Sequence, residues 1–306
     1  MNTKRILITG GAGFIGSNLA EELVKDNYVT ILDNFHTGSW ENLKDIKDKV
    51  KVIEASSGEI LNFVLHPDVV FHFGIASSSP MYKENHDLVG EVINDAINVF
   101  EFAKREKVKK VIFASSSSIY NGLPVPFKED MELNVTDYYT EARICIERLA
   151  KLYYQLHGVN SIGLRFFSVY GPHEKAKGIY ANVISQFLWE MRKDKAPVIF
   201  GDGTQARDCI FVKDVVKACK LIMNSDLKCE AINIGTGTSY TFNEIVDTLN
   251  KLLGKNLKPI YIKNEISNYV PHTLANTTKA RSLLGFVSTY SLEKGIKQIL
   301  SEEYLW

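Results

Sequence analysis

Little in this chain is in excess, and its deficits narrow its roles. The 306 residues include 36 basic and 36 acidic side chains, a formal net charge of zero. That balance removes the usual electrostatic reason to expect nucleic acid or an anionic membrane surface as a partner. The apolar runs fall far short of the ~20 residues that a membrane-spanning helix needs. The N-terminus leads straight into a strand pattern, without the signature of a secretory leader, so a cytoplasmic protein is expected. There are only 4 cysteines, Cys145, Cys209, Cys219 and Cys229. None forms a Cys-x-x-Cys pair, which predicts reduced thiols rather than a disulfide framework. The 7 histidines are scattered, with His66, His157 and His173 in loop or helix-end contexts, and no metal-ligand constellation can be assembled. Repeats, low-complexity tracts and long linkers are missing as well.

What is present is a chain that is 45% hydrophobic, long enough for a large core and two lobes. It is organised around residues 5–16. Ile6, Leu7 and Ile8 form an apolar run of the kind a buried parallel strand needs. Glycines follow at positions 10, 13 and 16, and Phe14, Ile15, Leu19, Leu23 and Val24 then recur at helical spacing. A strand, a glycine turn and a helix start in that order make a phosphate cradle. A β-carbon would hold the backbone away from a pyrophosphate, and the helix N-terminus offers free N–H groups and a positive dipole end. A second strand over 29–32 ends at Asp33, about 20 residues after the glycine turn, where a carboxylate accepts from both hydroxyls of an adenosine ribose and repels a 2′-phosphate. The cofactor expected is therefore NAD rather than its phosphorylated relative.

Further strands are expected at 50–54, 69–72, 111–114 and 161–166, and helices at 88–104 and from Tyr139 to about His157, with Asp137 as N-cap. Residues 77–87 read as a loop. This β/α alternation predicts a doubly wound parallel sheet. The rest is less regular: helices at 180–192, 212–223, 242–253 and 292–300, and strands at 198–200 and 231–234. Residues 1–165 form the expected cofactor-binding domain, with elements around 205–240 returning to it. Residues 166–306 form a smaller α/β lobe for the substrate.

Four serines, 115–118, follow the fifth strand at its carboxyl end, where ligands sit in open parallel sheets. Tyr139, Arg143 and Glu147 are four apart and share a helix face. A cation fixed beside a phenol favours phenolate, and a serine hydroxyl can bind the same substrate oxygen. Beside a nicotinamide, such a tyrosine can take a proton from an alcohol while hydride leaves its carbon.

The chain resembles the extended short-chain dehydrogenase/reductase family, and within it the nucleotide-sugar 4-epimerases. The matching stretches are residues 9–16, Asp33-Asn34-Phe35, Gly58-Glu59-Ile60 in place of Gly-Asp-Ile, His72-Phe73-Gly74, and residues 115–120. Later matches are the Tyr139-x-x-x-Arg143-x-x-x-Glu147 helix, residues 165–172, residues 201–208, and Thr277-Thr278-Lys279-Ala280 ahead of Leu284-Gly285-Phe286.

The resemblance implies a Rossmann-type sheet with a C-terminal α/β substrate lobe. It also implies epimerisation at C4 of a nucleotide sugar of the UDP-glucose/UDP-galactose type, through a transient 4-keto sugar. By position, Ser116 and Tyr139 are the implied catalytic pair, with Arg143 where the family has lysine. Implied cofactor contacts are Gly10, Gly13, Phe14, Ile15 and Gly16 in the turn, and Asp33, Asn34 and Gly38 after the second strand. Glu59, Ile60, Phe73, Gly74, Ser115 and Phe166 join them, together with Tyr139 and Arg143. Ser77, Ser116, Phe167, Ser168, Asn182 and Arg207 are implied substrate contacts, Arg207 gripping the pyrophosphate through its planar fork. A homodimer through the helices around 88–104 and 139–157 is implied too.

The sequence departs from the family pattern at several points. Val92, Asp95 and Ala96 replace the Asn, Gly and Thr of an Asn-x-x-Gly-Thr stretch, Ser168 replaces a frequent asparagine, and Asn276 a common aspartate. Ile266 and Tyr269 stand where a late nucleotide-gripping arginine and aspartate are usual. Thr273 occupies a position where small residues admit N-acetylated sugars. Dehydratases of the family carry Asp-Glu just after the catalytic Ser/Thr, and decarboxylases a Glu at the second of those positions. Ser117 and Ser118 fill these slots here, which favours epimerisation over elimination. The alternatives are another NAD-dependent nucleotide-sugar enzyme (4,6-dehydratase, decarboxylase or uronic-acid epimerase) or a non-catalytic NAD-binding scaffold or sensor.

Overall fold

A computed structural model describes residues 3–265 and 269–301; Ile266 lies outside them. The strands are β1 Arg5–Thr9, β2 Tyr28–Asp33, β3 Val50–Glu54, β4 Val69–His72, β5 Lys110–Ser116, β6 Ser161–Phe166, β7 Ser168–Tyr170, β8 Val198–Phe200, β9 Ala206–Phe211, β10 Cys229–Ile234, β11 Ser239–Thr241 and β12 Ile260–Ile262. The helices are α1 Phe14–Leu23, α2 Ser79–Glu84, α3 Leu88–Arg105, α4 Tyr138–His157, α5 Val183–Arg192, α6 Val212–Met223, α7 Phe242–Leu253, α8 Thr278–Leu284 and α9 Leu292–Ser301.

Seven strands make one parallel sheet in the order β10-β6-β5-β4-β1-β2-β3. Its strands are short Val/Ile/Leu runs because helices cover both faces. Leu19, Ala20 and Leu23 of α1 join Val215 and Ile222 of α6 against one face. Val92, Val99 and Phe100 of α3 join Ala142 and Ile146 of α4 against the other. The strand order reverses between β1 and β4, so the crevice at their carboxyl ends is the topological binding point of such a sheet. The α/β, doubly wound expectation is met, and β10 is the late strand that returns to the sheet.

Beyond β6 the chain builds two small sheets, β11-β9-β7 and β12-β8. A separate core lies under them, where α5, α7 and α9 pack around Tyr170, Phe211 and Ile199. Strands β7, β9, β11 and β12 and helix α8 are not among the expected elements, and two further differences bear on the cleft. The stretch 77–87 contains α2, because Pro80 sits in the first turn, where its missing N–H costs nothing, and Met81 and Tyr82 bury. The helix expected from 180 starts at Val183, because the Asn182 side chain accepts from Ile184 N at 2.9 Å and caps it. Asp137 caps α4 through Thr140 N at 2.7 Å, and Gly158, at φ +68°, ends it. All four cysteines are free.

Candidate active site

A cleft of about 920 Å³ runs along the carboxyl ends of the central strands. At the glycine turn, a β-carbon on Gly10 would lie 2.5 Å from Gly74 N, and one on Gly16 would lie 2.1 Å from Gly10 O. Gly10 also has φ +69°, so only glycine brings the two strand ends this close. The first ladder bond of α1 runs from Ser17 N to Gly13 O at 3.0 Å. The N–H groups of Phe14, Ile15 and Gly16 thus stand outside the ladder, at the cleft wall. No acidic side chain occupies that first turn, which leaves the positive helix end to an anion.

Asp33 is held rigidly at the end of β2. Its carboxylate accepts from Ala12 N and from Phe35 N, each at 2.8 Å. Burial raises its pKa despite these bonds. Each oxygen keeps acceptor capacity for a ribose hydroxyl, and a β-carbon on Gly38 would crowd Oδ1 at 2.8 Å. A free helix N-terminus and a fixed carboxylate about one ribose away suit an NAD-type dinucleotide and disfavour a 2′-phosphate.

Further along the cleft, Tyr139 is 8% exposed and lines it with Ser116. The Ser116 hydroxyl accepts from Ser118 N at 3.1 Å, which orients it at the strand terminus. The Arg143 guanidinium lies 4.6 Å over the Tyr139 ring and donates through Nη2 to Ala76 O. Tyr82, fully buried, donates to the same carbonyl at 3.0 Å and meets Tyr139 edge-on at 5.4 Å. Among the described residues no acceptor stands in hydrogen-bond geometry to the buried Nε and Nη1 of Arg143, although the Tyr139 and Tyr82 hydroxyls interact with the guanidinium. That surplus of donors beside the cleft is what a ribose hydroxyl or substrate oxygen can satisfy. His72 Nδ1 pairs with Thr9 Oγ1 at 2.8 Å, and burial, with Arg143 adding to it, pushes its pKa down to about 3, so the ring is neutral.

Behind these groups lies a buried polar frame. Ser115 Oγ donates to Glu147 at 2.6 Å, and Glu147 receives Arg165 through both oxygens, at 3.0 and 2.7 Å. Arg165 also donates to the Tyr120 hydroxyl, which donates to Asn233 at 2.8 Å. Burial pushes the Tyr120 phenol up to about 12. This run of hydrogen bonds ties β5, the strand that ends at Ser116, to α4 and β6.

The opposite end of the cleft is built from other elements. Among the described residues Arg207 donates through Nη1, to Ala206 O at 2.9 Å and Pro271 O at 3.2 Å, and it sits 5.4 Å from the rings of both Phe242 and Tyr269. Its neighbour Asp208 is engaged elsewhere, with Thr236, Gly237 and Ala275, which removes the local ion pair as an account of Arg207. Ser77, Ser168 and Thr273 line the same wall. Phe167 is 1% exposed within the cluster of Tyr120 and Phe127. Asn182 spends Nδ2 on Val169 O at 3.0 Å as well as capping α5.

A family model described as the NAD dependent epimerase/dehydratase family matches residues 6–235. The chain belongs to that family. It is 34% identical to a Methanocaldococcus jannaschii protein provisionally named UDP-glucose 4-epimerase, over 97% of each chain. It is 32% identical, again over 97% of each, to a UDP-N-acetyl-alpha-D-glucosaminuronate decarboxylase of Bacillus cytotoxicus. Among solved structures, a UDP-N-acetylglucosamine 4-epimerase of Methanobrevibacter ruminantium, in complex with UDP-N-acetylmuramic acid, superposes with a TM-score of 0.92 at 30% identity, covering 99% of this chain and 100% of that one.

For this epimerase-family member the cofactor is NAD. The cleft gathers nearly all the residues the sequence singles out, and two fall elsewhere. Glu59 returns its carboxylate to Ser56 N at 2.8 Å in a capping box, and Ile60 is fully buried in the core; neither lines the cleft. Sequence reasoning missed Lys177, whose Nζ lies 5.7 Å from the Phe14 ring beside the α1 N-terminus and 3.7 Å from buried Glu174. It stands in an irregular turn with no periodic signal. Tyr82 lies in the 77–87 stretch, whose sequence reads as a loop and gives no signal for a buried tyrosine. Among the described residues no cluster of His, Cys, Asp or Glu could hold a metal ion, and no helix is long and apolar enough to cross a membrane.

Proposed function

We propose that this chain epimerises a UDP-hexose at C4, with Tyr139 as the acid–base. The observation that carries the reading is Tyr139 at the cleft wall with the Arg143 guanidinium over its ring, while serines hold the two positions after Ser116. Bound NAD supplies a reversible hydride acceptor for C4. Tyr139 takes the proton of the 4-hydroxyl and returns it after the 4-keto sugar has turned over in the pocket. Arg143 lays a permanent positive charge over the ring that becomes negative once that proton is held elsewhere. Ser116 hydrogen-bonds the same sugar oxygen, and Arg207 holds the pyrophosphate. Ser117 and Ser118 offer neither a strong acid nor a base near C5 and C6, so elimination and decarboxylation lack their usual groups.

The names of the similar proteins support a UDP-sugar and leave the sugar open between hexose, N-acetylhexosamine and uronic acid. The test is product analysis with UDP-glucose, UDP-N-acetylglucosamine and UDP-glucuronate. A 4-epimer formed without net NADH is the expected product. A 4-keto-6-deoxy sugar or released carbon dioxide would replace epimerisation with the dehydratase or decarboxylase reading. NAD binding without turnover of any of these would favour the scaffold reading. A homodimer through α3 and α4 is part of the proposal, supported by Leu152 and Leu156 standing 46% and 65% exposed on α4; light scattering reads it directly.

A further inference from the structure

Asp33 fixes the adenosine ribose, so the base must lie further along the cleft, on the β3 side. β3 pairs with β2, with Glu54 opposite Asp33. The helical turn that follows β3, Ser57–Asn62, packs against α3. The join is close at one point. A β-carbon on Gly58 would lie 2.4 Å from Asp95 Oδ1, and Asn98 Nδ2 donates to Gly58 O at 2.8 Å. Only glycine at 58 leaves room for the Asp95 carboxylate, which accepts from the Gly58 backbone. Asp95 lines the cleft, together with Leu88, Glu91 and Val92.

The acidic residue that the motif supplies for this region does not reach it. Glu59 is committed to Ser56 N and stays outside the cleft wall. We propose that the Asp95 carboxylate recognises the exocyclic amine of the NAD adenine. The chemistry is that of a partly buried acceptor facing a donor. An ionised carboxylate accepts only, adenine presents an amine at C6, and hypoxanthine presents a carbonyl oxygen there that the carboxylate repels. Burial and the neighbouring Glu91 and Glu59 raise the Asp95 pKa to about 6, so the acceptor form prevails at pH 7.5. This inference rests on the cofactor assignment and is independent of the sugar.

The test is equilibrium binding, by titration calorimetry at pH 7.5, to protein freed of endogenous dinucleotide. The probes are NAD and nicotinamide hypoxanthine dinucleotide, which differ at C6 (amine against carbonyl) and at the adjoining N1 (bare against protonated). Wild type is expected to prefer NAD by about tenfold or more. Asp95→Asn, whose amide can donate to the carbonyl, is expected to level or invert the preference, and Asp95→Ser to level it, while Glu59→Gln keeps it. A preference retained in both Asp95 variants, or lost in Glu59→Gln, overturns the proposal. Equal affinity of wild type for the two probes overturns it alone and leaves NAD dependence standing. Binding of neither probe overturns the cofactor assignment and this inference with it.

Discussion

The half of the cleft nearest β1 and β2 works with backbone. The helix N–H groups of residues 14–16, the close glycines and an aspartate clamped by two main-chain bonds are set by the chain path itself. The half nearest β9 works with side chains on short strands and loops: Arg207 between two rings, with Ser77, Ser168 and Thr273 along the wall. Backbone sites tolerate little change in sequence, whereas side-chain sites can be altered one residue at a time. One cofactor end can therefore serve many substrate ends, which fits a chain about equally similar to an epimerase and a decarboxylase.

The sharpest way to separate the two halves is Tyr139→Phe. It should lower kcat by about 10³ while NAD bound per chain, measured after denaturation, stays constant. Loss of NAD in that variant would mean that Tyr139 belongs to the backbone half. Gly16→Ala should do the reverse. Its methyl group meets Gly10 O at 2.1 Å, so the turn must open, at a cost of roughly 1–3 kcal/mol in stability, and NAD affinity should fall with it. Thermal midpoints with and without NAD show both effects. Arg207→Leu keeps the apolar stem between Phe242 and Tyr269 and removes the fork. An increase in KM of about 10- to 100-fold with kcat within threefold is the expected outcome. A fall in kcat alone would move Arg207 out of the substrate grip.

How much of this was legible in the sequence follows the same division. The parallel sheet and the glycine turn could be read because burial on both faces enforces apolar runs and a close backbone approach enforces glycine. The Asp137 cap and the Tyr139–Arg143–Glu147 face followed from helical geometry alone. The bond of Glu59 was not legible, because a motif position specifies a residue and not the partner of its carboxylate, which here accepts from Ser56 N. α2 was hidden by Pro80 and its serines, which look the same in a loop and in a first helical turn. The partners of Arg143, namely Tyr82 and the Ala76 carbonyl, come from a segment about 60 residues earlier in the chain. No local pattern announces such a contact.

The smallest predicted effect concerns the border of the backbone half, where α3 places a carboxylate. The Asp95 pKa is raised to about 6 by burial, with Glu91 and Glu59 adding to it. Between the ordinary aspartate value of ~3.9 and 6, the folded chain holds a proton that the unfolded chain has lost. Stability from this group is thus fully present below the lower value and lost as pH rises through the upper one. Asp95→Asn carries no such titration. In the absence of NAD it should be more stable than wild type at pH 8, on the order of 1 kcal/mol once screening by solvent is allowed for, and the gap should close by pH 4. Urea midpoints at the two pH values read the difference. A gap that is constant with pH would mean that Asp95 is solvated in the folded protein, and the β3 end of the cleft would then be as adaptable as the half nearest β9.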